Sequence, residues 1–302
     1  MARAKDPKPL LEETIDKFTG INNRKDQESL SINELYEGAN VNITLDNGIE
    51  SRGGQTLIKS GNYKDGMYFH ELQIILAVKD NINLVKLNNA WVETQVRTNV
   101  GNGKMVYTYH SGRAYYTNES VIGFVQNGAD QTWPTPSRNY RVNPRPGHLL
   151  EVHGFRLWIA RGRTLEFTDP GKFHSVWMQR NIRQMQSRLT MVRSIGTGLY
   201  LSDTSNTYFA GGINPYKMPL IRVKPYPAIP YTGGVMDGIL VGDGTLGRVA
   251  WWVSKEGICI GTEKGEVFNI TELKYDFPEC ITGASLHRFS GNVSQFITTV
   301  LS

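Results

Sequence analysis

The sequence has only two cysteines, Cys259 and Cys280, among its 302 residues. Two cysteines do not make a disulfide framework, and no tight cysteine or histidine spacing typical of a metal site occurs. We therefore expect reduced thiols and no bound metal. The sequence also contains no run of eighteen apolar residues, which predicts no transmembrane helix and no stable membrane insertion. Its first residues lack the apolar segment of a signal peptide, so none is expected.

The sequence also lacks the short motifs of common enzymes. A nucleophile elbow, a phosphate-binding loop and a dinucleotide fingerprint are missing, and Gly242-Asp243-Gly244 is not followed by the Gly-Lys-Ser/Thr of a phosphate loop. A glycosidase needs paired carboxylates, whereas the 28 acidic residues here are scattered and outnumbered by 33 basic ones. The sequence thus predicts no catalytic residues, no cofactor and a protein that is not an enzyme.

What the sequence does contain is a recurring β-hairpin, in which two arms of alternating apolar and polar residues flank a turn rich in Gly, Asn or Asp. The copies begin at Ile74, Gly112, Gly154, Gly198 and Gly257. The intervals from Gly112 onward are 42, 44 and 59 residues. A period of about 40 to 50 residues with several strands per unit is typical of β-propeller blades.

The repeat predicts an all-β fold, a β-propeller of five or six blades. Residues 1–39 have few apolar residues and are predicted to form an extended N-terminal arm, docked on a neighbouring subunit. Residues 40–302 are predicted to form the propeller. Because closing the ring removes exposed strand edges, strands from residues 40–59 and 284–302 are expected to share one composite blade.

Two features suggest interaction surfaces. The interval before the last hairpin is attributed to an insertion, a Pro- and Tyr-rich loop at about residues 211–246, because dense proline disfavours a central strand. Tyrosine is common at interfaces, so the loop supplies possible subunit contacts: Tyr216, Tyr226 and Tyr231. The alternative is a plain connection between blades.

Positive charge is concentrated in one segment. Residues 138–193 hold eleven basic and three acidic side chains, an excess of eight, whereas the whole chain carries a net charge of +5. Such asymmetry is typical of contact with nucleic acid or an acidic partner, although a solvated surface is an alternative. The candidate residues for contact with DNA or an acidic partner are Arg156, Arg161, Arg163, Arg180 and Arg183.

The N-terminal region resembles a known family. Phe18-Thr19-Gly20-Ile21-Asn22-Asn23 is followed by Ala39-Asn40-Val41-Asn42 and by a hairpin that ends in Arg52-Gly53-Gly54. This order is similar to the opening of tailed-bacteriophage virion proteins with a propeller, of the tail nozzle or tail-tip type. Asn42 stands where Asp is usual, and Gly53-Gly54 also departs from the pattern. The resemblance covers about the first sixty residues and implies a structural role, with no catalytic residues to assign.

The first hypothesis is therefore a structural component of a bacteriophage tail, a nozzle or tail-tip/adaptor protein located in the virion and assembled in the host cytoplasm. The resemblance implies copies of itself and other tail proteins as partners, with genomic DNA in transit as a further candidate. An alternative is a carbohydrate-binding propeller that recognises a cell-surface glycan with aromatic side chains such as Trp133, Trp158 and Trp177. A propeller glycosidase is a third, less favoured hypothesis.

Overall fold

The computed structural model describes residue 18 and residues 20–39, 41–44, 48–51, 56–241, 244–290 and 293–301. These residues form 28 strands. In chain order the strands are β1 Gly20–Ile21, β2 Glu34–Leu35, β3 Val41–Ile43, β4 Ile49–Ser51, β5 Tyr63–Phe69, β6 Ile74–Lys79, β7 Asn83–Asn88, β8 Glu93–Arg97, β9 Val106–His110, β10 Arg113–Thr117, β11 Ile122–Gln126, β12 Ala129–Gln131, β13 Arg141–Val142, β14 Leu149–His153, β15 Arg156–Arg161, β16 Thr164–Phe167, β17 Val176–Trp177, β18 Ile182–Gln184, β19 Leu189–Ser194, β20 Gly198–Asp203, β21 Thr207–Gly211, β22 Leu220–Lys224, β23 Gly234–Asp237, β24 Arg248–Ser254, β25 Gly257–Gly261, β26 Val267–Asn269, β27 Thr282–Ser290 and β28 Val293–Leu301.

Within the described residues, helix is confined to three short 3₁₀ segments, Gln27–Ser29, His70–Leu72 and Gly238–Val241. Across the described ranges, then, no helix has the length and apolar character that crossing a bilayer requires.

Five antiparallel sheets of four strands follow one another along the chain and are the blades of a propeller. Blade 1 is β5–β8, blade 2 is β9–β12, blade 3 is β14–β16 with β18, blade 4 is β19–β22, and blade 5 is β23–β26. The hairpin β27–β28 follows as a two-stranded sixth sheet. The prediction of an all-β propeller of five or six blades is confirmed. The strands near both chain ends lie outside the five blades, and each end supplies its own hairpin, β3–β4 and β27–β28.

The apolar core lies between successive blades because each sheet buries both of its faces against its neighbours. Phe69 and Leu84 of blade 1 share a cluster with Tyr116 of blade 2. Trp158 of blade 3 shares another with Leu201 of blade 4. The remaining clusters join blades 2 and 3, blades 4 and 5, and blade 5 with the sixth sheet. A blade therefore gains its stability by stacking, as expected for repeat architectures.

The predicted repeat is one strand out of phase at its last copy. The first four hairpins are the second and third strands of blades 1 to 4, but the hairpin that begins at Gly257 is β25–β26, the third and fourth strands of blade 5. The second strand of blade 5 is β24, which begins at Arg248, 50 residues after Gly198. All three turns of such a sheet connect neighbouring antiparallel strands, so the local pattern does not distinguish them.

The same phase error explains why the prediction of a loop at residues 211–246 is wrong. It contains β22, the outer strand of blade 4, and β23, the inner strand of blade 5. Its prolines lie before and between these strands, where backbone donors are not required.

The N-terminal region is described only in part. Residues 1–17 of the predicted arm lie outside the described residues. Residues 20–35, here called the N-terminal clamp, dock on the propeller of the same chain. Asn23 N–H donates to the carbonyl of Lys274 at 2.9 Å, and the Asn23 side chain exchanges two hydrogen bonds with the Asp276 backbone at 2.9 and 3.1 Å.

Candidate functional site

The structure divides the predicted arginines between the two ends of blade 3. In an antiparallel sheet the turns alternate between ends, so we define the front face as the end where the inner strands begin and the back face as the opposite end. Arg161 and Arg163 flank the turn between β15 and β16 on the front face, whereas Arg156 begins β15 on the back face. Arg180 precedes β18 and also lies toward the back face. The five arginines therefore do not form one surface.

On the front face, Glu166 is the centre of an ion cluster. Its side chain is completely buried. Arg161 Nη1 donates to Glu166 Oε1 at 2.9 Å, Arg145 Nε donates to Oε2 at 3.3 Å, and Arg145 Nη2 also contacts Oε1. These side chains line an open cleft of about 470 Å³ together with His148, Thr164 and Gln184. Both arginines are committed to one carboxylate, so the cluster mainly secures the turn.

The other two arginines have different environments. Arg163 is exposed at the tip of the turn. Arg183 lies on the outer strand β18, where its Nη2 donates to the carbonyl of Met218 and its Nη1 is buried without a partner among the described residues. Burial lowers the pKa of Arg183. Arg183 thus joins blade 3 to the segment that follows β21 and is not a free contact residue.

On the back face, arginine and aromatic side chains alternate in a stack. The Trp177 ring lies between the guanidinium groups of Arg141 and Arg180, whose central carbons are 4.2 and 4.8 Å from the ring centroid. The Tyr216 ring follows, 5.5 Å from Arg180 and 5.9 Å from Arg156. Cation–π contacts of this kind each contribute about 0.5–1 kcal/mol at exposed sites. The stack holds three cations at defined positions on one surface.

Asp169 anchors the inner end of this stack. Arg141 Nε donates to Asp169 Oδ2 at 2.7 Å, and Ser175 and Asn181 donate at 2.9 and 3.1 Å. Burial alone would raise the pKa of Asp169, but these hydrogen bonds outweigh it, so the pKa lies below its ordinary value. Tyr216 hydroxyl donates to Asn181 Oδ1 at 2.6 Å, which fixes the tyrosine in the same network. Asp169 stays ionised and neutralises one of the three arginines.

Two exposed aromatic residues flank the stack in an unusual backbone conformation. Tyr140 has φ 61° and is 74% exposed, and Phe155 has φ 57° and is 69% exposed. A bulky residue at positive φ is a genuine outlier that costs of order 1–3 kcal/mol. We call the surface formed by Tyr140, Phe155, Arg156, Arg180 and Tyr216 the basic-aromatic patch. Sequence patterns could identify its arginines, but no sequence signal indicated Tyr140 or Phe155.

The predicted tyrosines lie at three separate places. Tyr216 belongs to the basic-aromatic patch and is 49% exposed. Tyr226 packs against the core between blades 4 and 5, with its hydroxyl 3.9 Å from Cys259 Sγ. Tyr231 packs against the core between blades 3 and 4, and Lys104 Nζ lies 4.6 Å from its ring centroid. Only Tyr216 is therefore placed as a surface contact.

Polar side chains also connect the inner strands to one another. Arg193 Nε donates to the carbonyl of Gly233 at 2.8 Å, and its Nη1 lies 3.4 Å from Glu151 Oε2. This pair connects the inner strands of blades 3 and 4 to the start of blade 5. Lys104 Nζ donates to the carbonyl of Gly283 at 2.6 Å and thereby links the loop before blade 2 to the sixth sheet. These contacts link the inner strands at the centre of the propeller, which we call the hub.

Two of the tryptophans named for glycan binding, and two histidines, pack within the protein. Trp158 is 1% exposed and belongs to the core, and Trp133 is stacked on Tyr115 with ring centroids 6.1 Å apart. His153 is buried, with Nδ1 2.9 Å from Ser194 Oγ and Nε2 2.7 Å from the carbonyl of Gly212. His110 lies 5.2 Å from the Phe173 ring. In the part of the chain that the structure describes, no group of three His, Cys, Asp or Glu is placed to hold a metal ion.

Comparison with known proteins supports the propeller fold and identifies no family. The sequence matches no known protein family, and no curated protein matches it. Among solved structures, a gluconolactonase from Xanthomonas campestris is similar with a TM-score of 0.48 and 10% identity over 80% of this chain and 84% of that one. A virginiamycin B lyase from Staphylococcus aureus matches with a TM-score of 0.48 and 12% identity, over 80% and 84%. A streptogramin B lyase has a TM-score of 0.47 and 12% identity, over 82% and 85%.

These matches correct one expectation. The sequence predicted that the protein is not an enzyme, but lyases and gluconolactonases are enzymes built on similar propellers. The missing enzyme motifs belong to other folds, so their absence does not exclude catalysis from a propeller. At 10–12% identity the likeness shows the fold alone and transfers no reaction to this chain.

Proposed function

We propose that this chain is a structural component of a bacteriophage tail, of the nozzle or tail-tip/adaptor type, which assembles with copies of itself and other tail proteins around the DNA passage. The observation that carries the proposal is the N-terminal clamp. The residues that resemble phage tail proteins, Gly20 to Asn23, are the residues that build this clamp, and they hold it on the propeller.

The clamp uses each of these residues in a specific way. Gly20 and Ile21 form β1, which pairs in parallel with β2. Asn22 is 2% exposed, and its side-chain amide donates to Glu34 Oε1 at 2.9 Å. Hydrogen bonds from Asn22 and then Lys25 lower the pKa of Glu34 to about 2. The residues of this short pattern therefore each have a structural role in the clamp. Such roles support the resemblance to phage tail proteins.

The contacts between the inner strands limit the routes that we propose for DNA. Arg193, Glu151 and Lys104 connect inner strands and the sixth sheet of a single propeller. A duplex threaded through this hub would have to break those contacts. In the proposed assembly the passage therefore lies between copies, and exposed cations such as Arg163 face it. Attraction of this kind acts on phosphates and does not depend on base sequence.

Particle analysis tests the proposal. We expect the protein in purified phage particles in a fixed ratio to the major tail proteins, measured by quantitative mass spectrometry. We expect deletion of its gene to give particles with an incomplete tail, seen by electron microscopy, and a plasmid copy to restore the tail. Normal infectious particles without the protein would exclude a structural tail role. Strong, specific binding on a glycan array, together with normal particle assembly, would favour the carbohydrate-binding alternative.

A further inference from the structure

We propose that the basic-aromatic patch of one copy binds the outer edge of blade 5 of a second copy. That edge, here called the acidic edge, consists of Glu266, Phe268, Ile270, Glu272 and Leu273. The inference deepens the proposed function, because it rests on the self-assembly that a tail component requires and specifies the two surfaces that meet.

The first argument is the composition of the basic-aromatic patch. Arginine and aromatic residues are enriched at protein interfaces, and most binding energy is concentrated in a few of them. Arg180 is exposed, and its guanidinium group makes ring contacts but no hydrogen bond to the described residues. Together with Arg141, the patch has three arginines and one carboxylate, Asp169. It is therefore positively charged.

The second argument is backbone conformation. Tyr140 and Phe155 keep large exposed rings at positive φ, although Asn or Gly would relieve the strain at either position. The Phe155 turn is also closely fitted, because a Cβ on Gly154 would lie 2.8 Å from the carbonyl oxygen of Ile213. Strain of this kind clusters at active sites, ligand clamps and switch regions. A partner that buries both rings would account for it.

The third argument is the complementary character of the acidic edge. Phe268, Ile270 and Leu273 are 50%, 49% and 81% exposed. The flanking carboxylates of Glu266 and Glu272 are exposed and form no ion pair within the described residues. Exposed Lys264 and Lys274 flank these carboxylates, so the segment is not acidic as a whole. The complementarity rests on two carboxylates without ion pairs in the described part of the chain beside exposed apolar side chains, opposite a patch that combines arginines with exposed rings.

The position of the two surfaces requires a second copy. The patch lies on blade 3 and on the β21–β22 connection of blade 4, whereas the acidic edge is the outer edge of blade 5. One molecule cannot bring them together, because the core clusters fix blade 4 to both neighbours. A contact between two different surfaces of identical chains is heterologous, and repetition of it generates a closed ring or an open filament. A ring of this kind would enclose a passage.

Charge reversal tests the contact directly. We expect the wild-type protein to self-associate in sedimentation velocity and light-scattering experiments and to dissociate as salt is added. Arg180→Glu and Glu272→Arg should each weaken association by about tenfold or more, which corresponds to about 1.4 kcal/mol. The double variant should regain most of the lost affinity, because it restores an opposite pair across the contact.

A variant that relieves strain separates binding from folding. Phe155→Asn removes the exposed ring but suits positive φ, so it should keep or raise the melting temperature while it weakens association. Arg222→Glu is the matched control, because Arg222 is exposed on the outer strand of blade 4, outside both surfaces, and it should leave association unchanged.

Three results would overturn the inference. The first is a wild-type protein that remains monomeric at its highest soluble concentration. The second is a double charge reversal that is as weak as the single variants. The third is unchanged self-association of Arg180→Glu together with loss of binding to a fluorescent single-stranded oligonucleotide, which would assign the patch to nucleic acid. Each of these results leaves incorporation into particles to be judged separately, so the proposed function can stand if this contact fails.

Discussion

Arg161 donates a 2.9 Å hydrogen bond to Glu166, a carboxylate with no exposure to solvent. Arg145 is the second cation on the same carboxylate. We expect Arg145→Ala or Arg161→Ala alone to cost about 1 kcal/mol, because the remaining arginine still neutralises the charge and both arginines are partly exposed. The double variant leaves a buried charge unpaired and should cost about 3–5 kcal/mol.

Urea denaturation of the two single variants and the double variant measures these differences. The control is the triple variant with Glu166→Gln, which removes the buried charge and should recover part of the loss. If the two single effects simply add, the arginines do not share the carboxylate in the way the structure indicates.

The Glu166 cluster also illustrates what sequence could and could not predict. Strand alternation in residues 154–169 identified the β15–β16 hairpin correctly, because inward and outward side chains alternate along a strand. It did not predict that Arg156 and Arg161, at the two ends of β15, would lie on opposite faces of the propeller. A charge count along the chain treats both as one basic segment, whereas strand direction separates them.

The predicted position of the last hairpin was wrong for a different reason. The hairpin at Gly257 has the same pattern as the others, so only long-range pairing of β24 with β23 reveals its position in blade 5.

The basic-aromatic patch depends on Tyr140 and Phe155 at positive φ. The sequence gives no such indication, since neither residue prefers that region of backbone space.

Gly154 and Gly162 form a matched pair for testing backbone fit. Both have positive φ, 56° and 57°, but an added Cβ at Gly154 meets the Ile213 carbonyl oxygen at 2.8 Å whereas at Gly162 it meets nothing within 4 Å. We expect Gly162→Ala to cost about 1 kcal/mol from strain alone. Gly154→Ala should cost at least about 1 kcal/mol more, because the backbone of blade 4 must shift. Equal losses in urea denaturation would mean that the segment around Ile213 is not held against the turn.

Buried histidines predict a loss of stability in mild acid. Burial lowers the pKa values of His148 and His153 below the ordinary 6.5. Below about pH 6.5 the unfolded chain therefore binds more protons at these sites than the folded protein does, so their contribution is present above that pH and is lost as pH falls toward the folded pKa values. The free energy of unfolding should thus decrease between about pH 7.5 and about pH 5.5.

The variant His148→Gln/His153→Gln tests the assignment. It removes both groups, so its free energy of unfolding should depend less steeply on pH than that of the wild type over the same interval. Its stability at about pH 7.5 provides the baseline, because both histidines are neutral there and the substitutions then report only lost packing and hydrogen bonds. An identical slope in both proteins would assign the acid sensitivity to other groups.

The two cysteines should differ sharply in reactivity. Cys259 is fully buried in β25, between Tyr226 and Ser254, and burial raises the pKa of its thiol. Since the thiolate is the nucleophile, both effects slow alkylation. Cys280 lies in the segment before the sixth sheet and is only partly buried.

Iodoacetamide should therefore modify Cys280 first. Modification of Cys259 should depend on urea in the same way as global unfolding, because blade 5 must open to expose this thiol. Mass spectrometry of the alkylated protein, with Cys280→Ala as the single-thiol control, gives the rate at Cys259. Rapid modification of Cys259 without denaturant would show that blade 5 opens locally in the native state, and that its packing against blade 4 is weaker than the shared core of Tyr200 and Trp252 indicates.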